Sequence, residues 1–220
     1  MDVDAVAFDI DGTLYPNRQM YFNSVLFFLG RLRFLKHYRN VRKSIRNMRP
    51  IDNFRLTQAD LLSKHMKITP ESARLKIDKA IYQKWQKTFK SVRIFPHLYE
   101  ALKTLHRARY KLGVMSDFPA DGKLQYLRLP DVWDCIISSE DTGYLKPNPE
   151  PFLAVASCFD TTLERILYVG NNYEYDIVGA HRVGMKTAHL AREPVDGSVA
   201  DLTFTDYREL ESVLIGVAKA

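Results

Sequence analysis

The sequence predicts an α/β fold, a parallel sheet covered by helices on both faces, interrupted early by an all-helical insertion. Short apolar runs stop abruptly at polar or glycine residues: Ala5 to Phe8 before Asp9, Leu112 to Met115 before Ser116, and Ile166 to Val169 before Gly170. From Val92 onward such runs alternate with helical periodicity, the rhythm of parallel strands joined by crossover helices. Between them, Pro16 to Lys90 carries 18 Lys/Arg against 4 Asp/Glu, a net of +14, while the rest of the chain carries 14 against 22, a net of −8. A charge asymmetry of this size marks two units with different tasks. The expected division is a core of residues 1–15 and 91–220 and a helical unit of residues 16–90.

Taken in order, Ala5 to Phe8 is the first strand, apolar throughout as a strand buried on both faces must be. In the insertion, Tyr21, Phe22, Val25, Leu26, Phe27, Leu29, Leu32 and Leu35 recur at helical spacings until Pro50 and Asp52-Asn53 break the pattern. A helix is predicted from Thr57 to Met66. Thr69-Pro70-Glu71 opens a longer one, with Thr as cap, Pro in the first turn and Glu at the positive helix end, and Ile77, Ile81, Trp85 and Phe89 carry it to about Lys90. Pro96 then opens a helix to Arg109, Leu112 to Met115 is a strand, Lys123 to Leu127 a short helix, and Cys135 to Ile137 a strand. A helix follows Pro151, and Ile166 to Val169 is a strand. Asp176 to Val183 is helical, Thr187 to Leu190 a strand, Leu202 to Phe204 an edge strand, and Tyr207 to Val217 the closing helix.

With 220 residues, 46% of them hydrophobic, the chain can bury a sizeable core. Met1-Asp2-Val3-Asp4 lacks the basic flank of a signal peptide, and no apolar run reaches the ~18 residues of a membrane span. The expectation is a cytoplasmic protein with no membrane association. Cys135 and Cys158 form neither a metal-like pair nor a disulfide framework in the sequence, which fits a reducing compartment. The six histidines are scattered and read as structural or surface groups.

The chemistry concentrates in Asp9-Ile10-Asp11-Gly12, where two carboxylates one residue apart stand at the carboxyl end of a buried strand. Such neighbours repel unless a cation or shared proton relieves them, and this edge is where ligands bind in open α/β sheets. Ser116 and Asp117, Lys146, and Asn171 with Asp176 follow other strands and converge on the same edge. Taken singly, Ser116 reads equally well as a strand end, Lys146 as a loop lysine and Asp176 as a helix-start acid. Together, hard oxygens suit Mg²⁺, a hydroxyl and free N–H groups cradle a phosphoryl group, and a lysine offsets the charge of both.

These residues resemble the haloacid dehalogenase superfamily of phosphohydrolases, in the subfamily with a helical cap inserted after the first strand. Asp9-Ile10-Asp11-Gly12-Thr13-Leu14 is similar to its first motif and Val114-Met115-Ser116 to its second. Lys146-Pro147-Asn148-Pro149 resembles its third, and Gly170-Asn171-Asn172-Tyr173-Glu174-Tyr175-Asp176 its fourth. The resemblance implies a Rossmann-like three-layer α/β/α core with a C1-type cap, and a Mg²⁺-dependent phosphatase of a small phosphorylated metabolite. Asp9 would be the nucleophile and Asp11 the acid and base. Ser116, Asp117 and Lys146 would bind substrate, and Asp9, Asp11 and Asn171 the metal, with Asp176 in its outer shell. The chain departs from the family's pattern at Asn171, where an aspartate usually stands, and at Asp117, where Asn or a small polar residue is more common. A neutral amide oxygen should hold Mg²⁺ less tightly.

The series Arg31, Arg33, Lys36, Arg39, Arg42, Lys43, Arg46 and Arg49 reads either as a solvated helix face or as a positive lid that gathers anionic substrates. Phe27, Phe28 and Tyr38 are cap core or, less simply, a nucleic-acid or interchain contact. Competing readings are a catalytically weak module binding anionic partners, a sugar phosphomutase, and a 2-haloacid dehalogenase, a branch that normally lacks the second aspartate. Oligomeric state has no signature in the sequence.

Overall fold

β1 (Ala5–Phe8) is buried at every residue, with β2 (Lys111–Ser116) on one side and β4 (Ile166–Gly170) on the other. The computed structural model, which describes residues 1–25 and 29–217, continues the sheet outward with β3 (Cys135–Ser138), β5 (Lys186–Leu190) and β6 (Leu202–Phe204). All pairs are parallel and the order is β3-β2-β1-β4-β5-β6, so the chain winds one way from β1 to β3 and then crosses to the other side. The reversal falls at β1, and the crevice beyond its carboxyl end is the natural ligand site. Register brings the candidate residues to one rim: Phe8 stands beside Val114 and Val169, and the Asp9 N–H donates to the Val169 carbonyl at 2.9 Å.

Each sheet face has its own apolar layer, as strands covered on both sides require. Val6, Phe8, Leu112, Val114, Leu167 and Val169 pack on the helices Leu98–Arg107 and Tyr207–Val217. Ala5, Ala7, Met115, Ile166 and Tyr168 pack on Phe152, Val155 and Phe159 of the helix Pro149–Phe159. Cys135 opens β3 and Cys158 lies near the end of that helix, their Cα atoms 6.0 Å apart and their sulfurs joined in a disulfide. This corrects the expectation of two separate thiols. A spacing of 23 residues carries no disulfide pattern, and only the helix folding back on its own strand brings the two together. The argument for a reducing compartment therefore loses this support.

The insertion is helical: α1 (Asn17–Asn23), α2 (Leu32–Arg46), α3 (Phe54–Met66) and α4 (Pro70–Ile77). Asn53 caps α3 by accepting the Leu56 N–H, and Thr69 caps α4 by accepting that of Ser72, with Pro70 in the first turn as the sequence predicts. The helix expected to run to Lys90 changes winding instead, π-helical over Asp78–Lys84 and 3₁₀ over Trp85–Ser91. Ile81, Trp85 and Phe89 are still buried. Apolar spacing reports which face is covered and not how tightly the backbone coils. The single helical stripe expected from Tyr21 onward is likewise divided between α1 and α2. Tyr21, Phe22, Val25, Leu29 and Leu32 are exposed, Tyr38 is buried as expected, and Leu26, Phe27 and Phe28 lie outside the described residues. Among the described residues, no helix is long and apolar enough to cross a membrane.

Candidate active site

At the rim, Gly12 takes φ +96°, a conformation that side chains resist, and turns the chain so that Thr13 faces back toward Asp9. Thr13 Oγ1 lies 3.0 Å from Asp9 Oδ2 and 3.2 Å from Asn171 Oδ1, sharing its proton between them. A β-carbon on Gly12 would sit 2.7–2.8 Å from the Asn171 amide, so glycine permits the approach. Gly170 has the same role for Asp176, whose β-carbon would lie 2.3 Å from one placed there.

Lys146, only 3% exposed, projects from the loop after β3 into the acidic centre. Its Nζ donates to Asp9 Oδ1 at 2.7 Å, Asp176 Oδ1 at 2.6 Å and the Tyr168 hydroxyl at 3.1 Å. Burial pushes the Asp9 carboxyl up to about 7 against the pull of Lys146, with the negative charges of Asp176 and Asp11 adding to the rise. Burial disfavours charge on Lys146, but Asp176 and Asp9 override it and hold the ammonium well above its ordinary range. Asp176 also accepts the Asn172 N–H at 3.0 Å, so both its oxygens are engaged within the protein.

Asp11 is held separately. Tyr15, its own pKa raised by burial and by the Asp11 charge, donates its hydroxyl to Oδ1, while Lys123 and Ser116 (3.3 Å) donate to Oδ2. Lys123, from the short helix Asp121–Leu127, is completely buried. Its Nζ also donates to Ser116 Oγ at 3.1 Å, and the rings of Phe118, Phe89 and Trp85 surround it at 5.2–5.6 Å. Ser116 is itself fully buried and faces Asp11 and Lys123. Reaching a phosphoryl group requires it to release Asp11.

The insertion closes the space above. Arg42 donates to Glu140 and, at 2.6 Å, to the Asp117 carbonyl. Arg46 donates to the Asp117 carboxylate and the Lys146 carbonyl, and Arg49 to Glu150. Burial alone would raise the Asp117 carboxyl, but Arg46, Lys146 and Arg42 hold it below the usual carboxylate range. Burial likewise opposes charge on Arg42, and Tyr38 and Glu140 more than compensate. The basic series is thus neither a simple solvated face nor wholly free for anions, since three of its members join α2 and the turn after it to core acids. Between the rim and the insertion lies a cavity of about 630 Å³, on which Asp9, Asp11, Asp117, Lys146, Asn171 and Asp176 all open.

Every predicted site residue except Ser116 therefore lines one cavity, with Ser116 directly behind it. The sequence reading missed Lys123, Tyr15, Thr13, Tyr168 and Glu140. Thr13 and Tyr15 lay within or beside the first motif. A lone lysine in a brief helix gave no signal, because only the turn between β2 and that helix returns it to the strand end.

For a divalent cation, the oxygens that converge are Asp9 Oδ2 and Asn171 Oδ1, both within reach of the same Thr13 hydroxyl. Among the described residues no three His, Cys, Asp or Glu side chains are grouped to hold a metal. The donor set is nevertheless of the kind Mg²⁺ takes, one carboxylate and a neutral oxygen completed by water and substrate phosphate. The Asp11 carboxylate can join only by giving up a present partner.

A family model described as haloacid dehalogenase-like hydrolase matches residues 6–190. Pyrophosphatase PpaX of Halalkalibacterium halodurans is 26% identical over 193 residues, covering 86% of this chain and 83% of its own. Glyceraldehyde 3-phosphate phosphatase of Methanopyrus kandleri is 27% identical, the match covering 99% of each chain. The crystal structure of a 2-haloacid dehalogenase from Pseudomonas syringae pv. Tomato DC3000 superimposes with a TM-score of 0.70 over 98% of this chain and 99% of that one. At 21% identity this likeness speaks to the fold alone.

Proposed function

The chain belongs to the haloacid dehalogenase-like hydrolases, and on that footing we propose that it is a phosphatase of small phosphorylated substrates working through an aspartyl-phosphate on Asp9. Residues 1–15 and 91–220 form its catalytic core and residues 16–90 its lid. The observation that carries this reading is the pair of carboxylates with separate lysines. Asp9 is paired with Lys146 at 2.7 Å and Asp11 with Lys123, so each carboxylate is positioned by its own ammonium while both open on one cavity. Relatives named as a pyrophosphatase and as a glyceraldehyde 3-phosphate phosphatase support the same class. Asp11 also favours phosphoryl over haloacid chemistry, because a proton must reach an ester oxygen and then leave a water.

In this mechanism an Asp9 oxygen attacks phosphorus, and the bond to the ester oxygen breaks as Asp11 protonates it. Asp11 then takes a proton from the water that cleaves the acyl phosphate. Lys146 aligns Asp9 and offsets the phosphoryl charge, and Arg46 neutralises Asp117 so that it does not repel the ester. Asp9 and Asn171 would hold Mg²⁺, with an oxygen of Asp11 and with Asp176 outside the first shell. The ion supplies charge neutralisation of the phosphoryl oxygens.

Release of phosphate from a panel of esters, with Mg²⁺ and with chelator, tests the proposal. Asp9→Asn is expected to abolish release and to prevent trapping of phosphate on the protein, and turnover persisting in that variant would overturn the nucleophile assignment. Asn171→Asp is expected to tighten Mg²⁺ about tenfold in a calorimetric titration, since a charged oxygen replaces a neutral one. Unchanged affinity would remove Asn171 from the metal.

A further inference from the structure

One face of α2 runs along the cavity: Leu35, Tyr38, Arg39, Arg42 and Arg46 follow one another at helical spacings and all line it. Its later turns are fastened to the core, with Arg46 paired to Asp117 and Arg42 to Glu140. Lys146 serves Asp9 and Asp176, and Lys123 serves Asp11, so every carboxylate of the lining already has a cation. Arg39 is left over. It makes no ion pair, hydrogen bond or ring contact with any described residue. Being exposed while lining the cavity, it stands at the mouth. The helix sets it about 4.5 Å along the axis from Arg42 and about 10 Å from Arg46, the residue that grips the Lys146 carbonyl. Asn17 and Asn172 add amide donors to the same lining.

From this arrangement we infer that Arg39 is a specificity residue, and that the substrate is a phosphate monoester whose leaving group carries a second anionic group, a carboxylate or a further phosphate. The inference rests on the phosphatase reading and adds the chemical class of the leaving group. A guanidinium with no internal acid can offer two parallel hydrogen bonds to a carboxylate or a phosphate. The insertion then reads the distant anion while Asp9 and Lys146 hold the phosphoryl end. A neutral leaving group would leave Arg39 to water and gain nothing from it.

Alkyl phosphates of three and five carbons, ending in methyl, hydroxyl, carboxylate or phosphate, test this because the reacting end stays the same. kcat/KM is expected to be about tenfold higher for the anionic ends, with the gain mainly in KM; this is the low end for a charge-assisted hydrogen bond, because Arg39 is exposed. Added salt should shrink the preference. Whether carboxylate or phosphate gains more identifies the second group, and a gain with either supports the inference. Arg39→Gln is expected to level the four end groups and Arg39→Lys to keep part of the preference, with thermal melts confirming that both variants are folded. If neutral and anionic ends are turned over alike, or the preference survives in Arg39→Gln, the inference falls and the phosphatase reading stands. Carboxyalkylphosphonates, which cannot be hydrolysed, are compared with alkylphosphonates by calorimetry. Phosphate release from no ester, with the carboxylate still tightening phosphonate binding only when Arg39 is present, overturns the phosphatase reading and keeps the role of Arg39. Neither release nor such binding overturns both.

Discussion

Asp11→Asn should cost more stability than Lys123→Met, although the two substitutions remove opposite ends of one ion pair. The difference lies in what each leaves behind. Asn at position 11 preserves shape and leaves the Lys123 ammonium, whose side chain is 0% exposed, with Ser116 Oγ and ring faces for company. Removing one partner of a buried pair typically costs about 3–5 kcal/mol. Methionine at position 123 leaves Asp11, 23% exposed on the cavity, with Tyr15, Ser116 and water. The lost charged hydrogen bonds cost about 1.5–3 kcal/mol, and sulfur–ring contacts with Trp85, Phe89 and Phe118 return roughly 0.3–1.5, a net near 1–2 kcal/mol. Urea unfolding of both variants and of the double variant measures this. The double variant should be more stable than Asp11→Asn alone, because it removes the stranded charge. Lys123→Met proving the more costly, or strict additivity, would refute the argument.

Lys146→Met should lower kcat by about 100- to 1,000-fold, as expected when one preorganised donor is lost, with a smaller change in KM; a drop confined to KM would make Lys146 a binding group only. The pH profile of kcat/KM should rise through about 7 as Asp9 loses its proton, since only the carboxylate attacks. The same group makes stability fall as pH rises from its ordinary value of 3.8 through about 7, because the folded protein keeps a proton that the unfolded chain has released. An acid limb at the ordinary carboxylate value would show that the substrate or metal environment, and not burial, sets this group.

The sheet was legible because strands buried on both faces leave an unmistakable apolar signature. Ala5 to Phe8, Leu112 to Met115 and Ile166 to Val169 are such runs, and all prove to be central strands. Asp9, Asp11, Lys146 and Asp176 were legible because each follows such a strand or its loop, and a parallel sheet brings those ends together whatever their separation in the chain. Lys123 and Glu140 were not, since a charged residue in a short segment looks solvated until the fold shuts it in. Arg42, Arg46 and Arg49 were seen as a basic series, but their partners Glu140, Asp117 and Glu150 lie 71 to 101 residues away. No local pattern pairs residues across that distance. Cys135 and Cys158 failed for the same reason.

Arg46 ties α2 to two residues of the sheet rim that are far from it in the chain. It stands on α2, yet it forms a direct ion pair with the Asp117 carboxylate, whose charge Lys146 and Arg42 also favour, and it grips the carbonyl of Lys146. On the proposed function, a movement that carried α2 away from the rim would take this guanidinium with it and leave Asp117 with the Lys146 N–H and the Lys146 charge. Under that proposal the same movement would lessen the positive charge facing a product anion, coupling release to the contact between α2 and the rim.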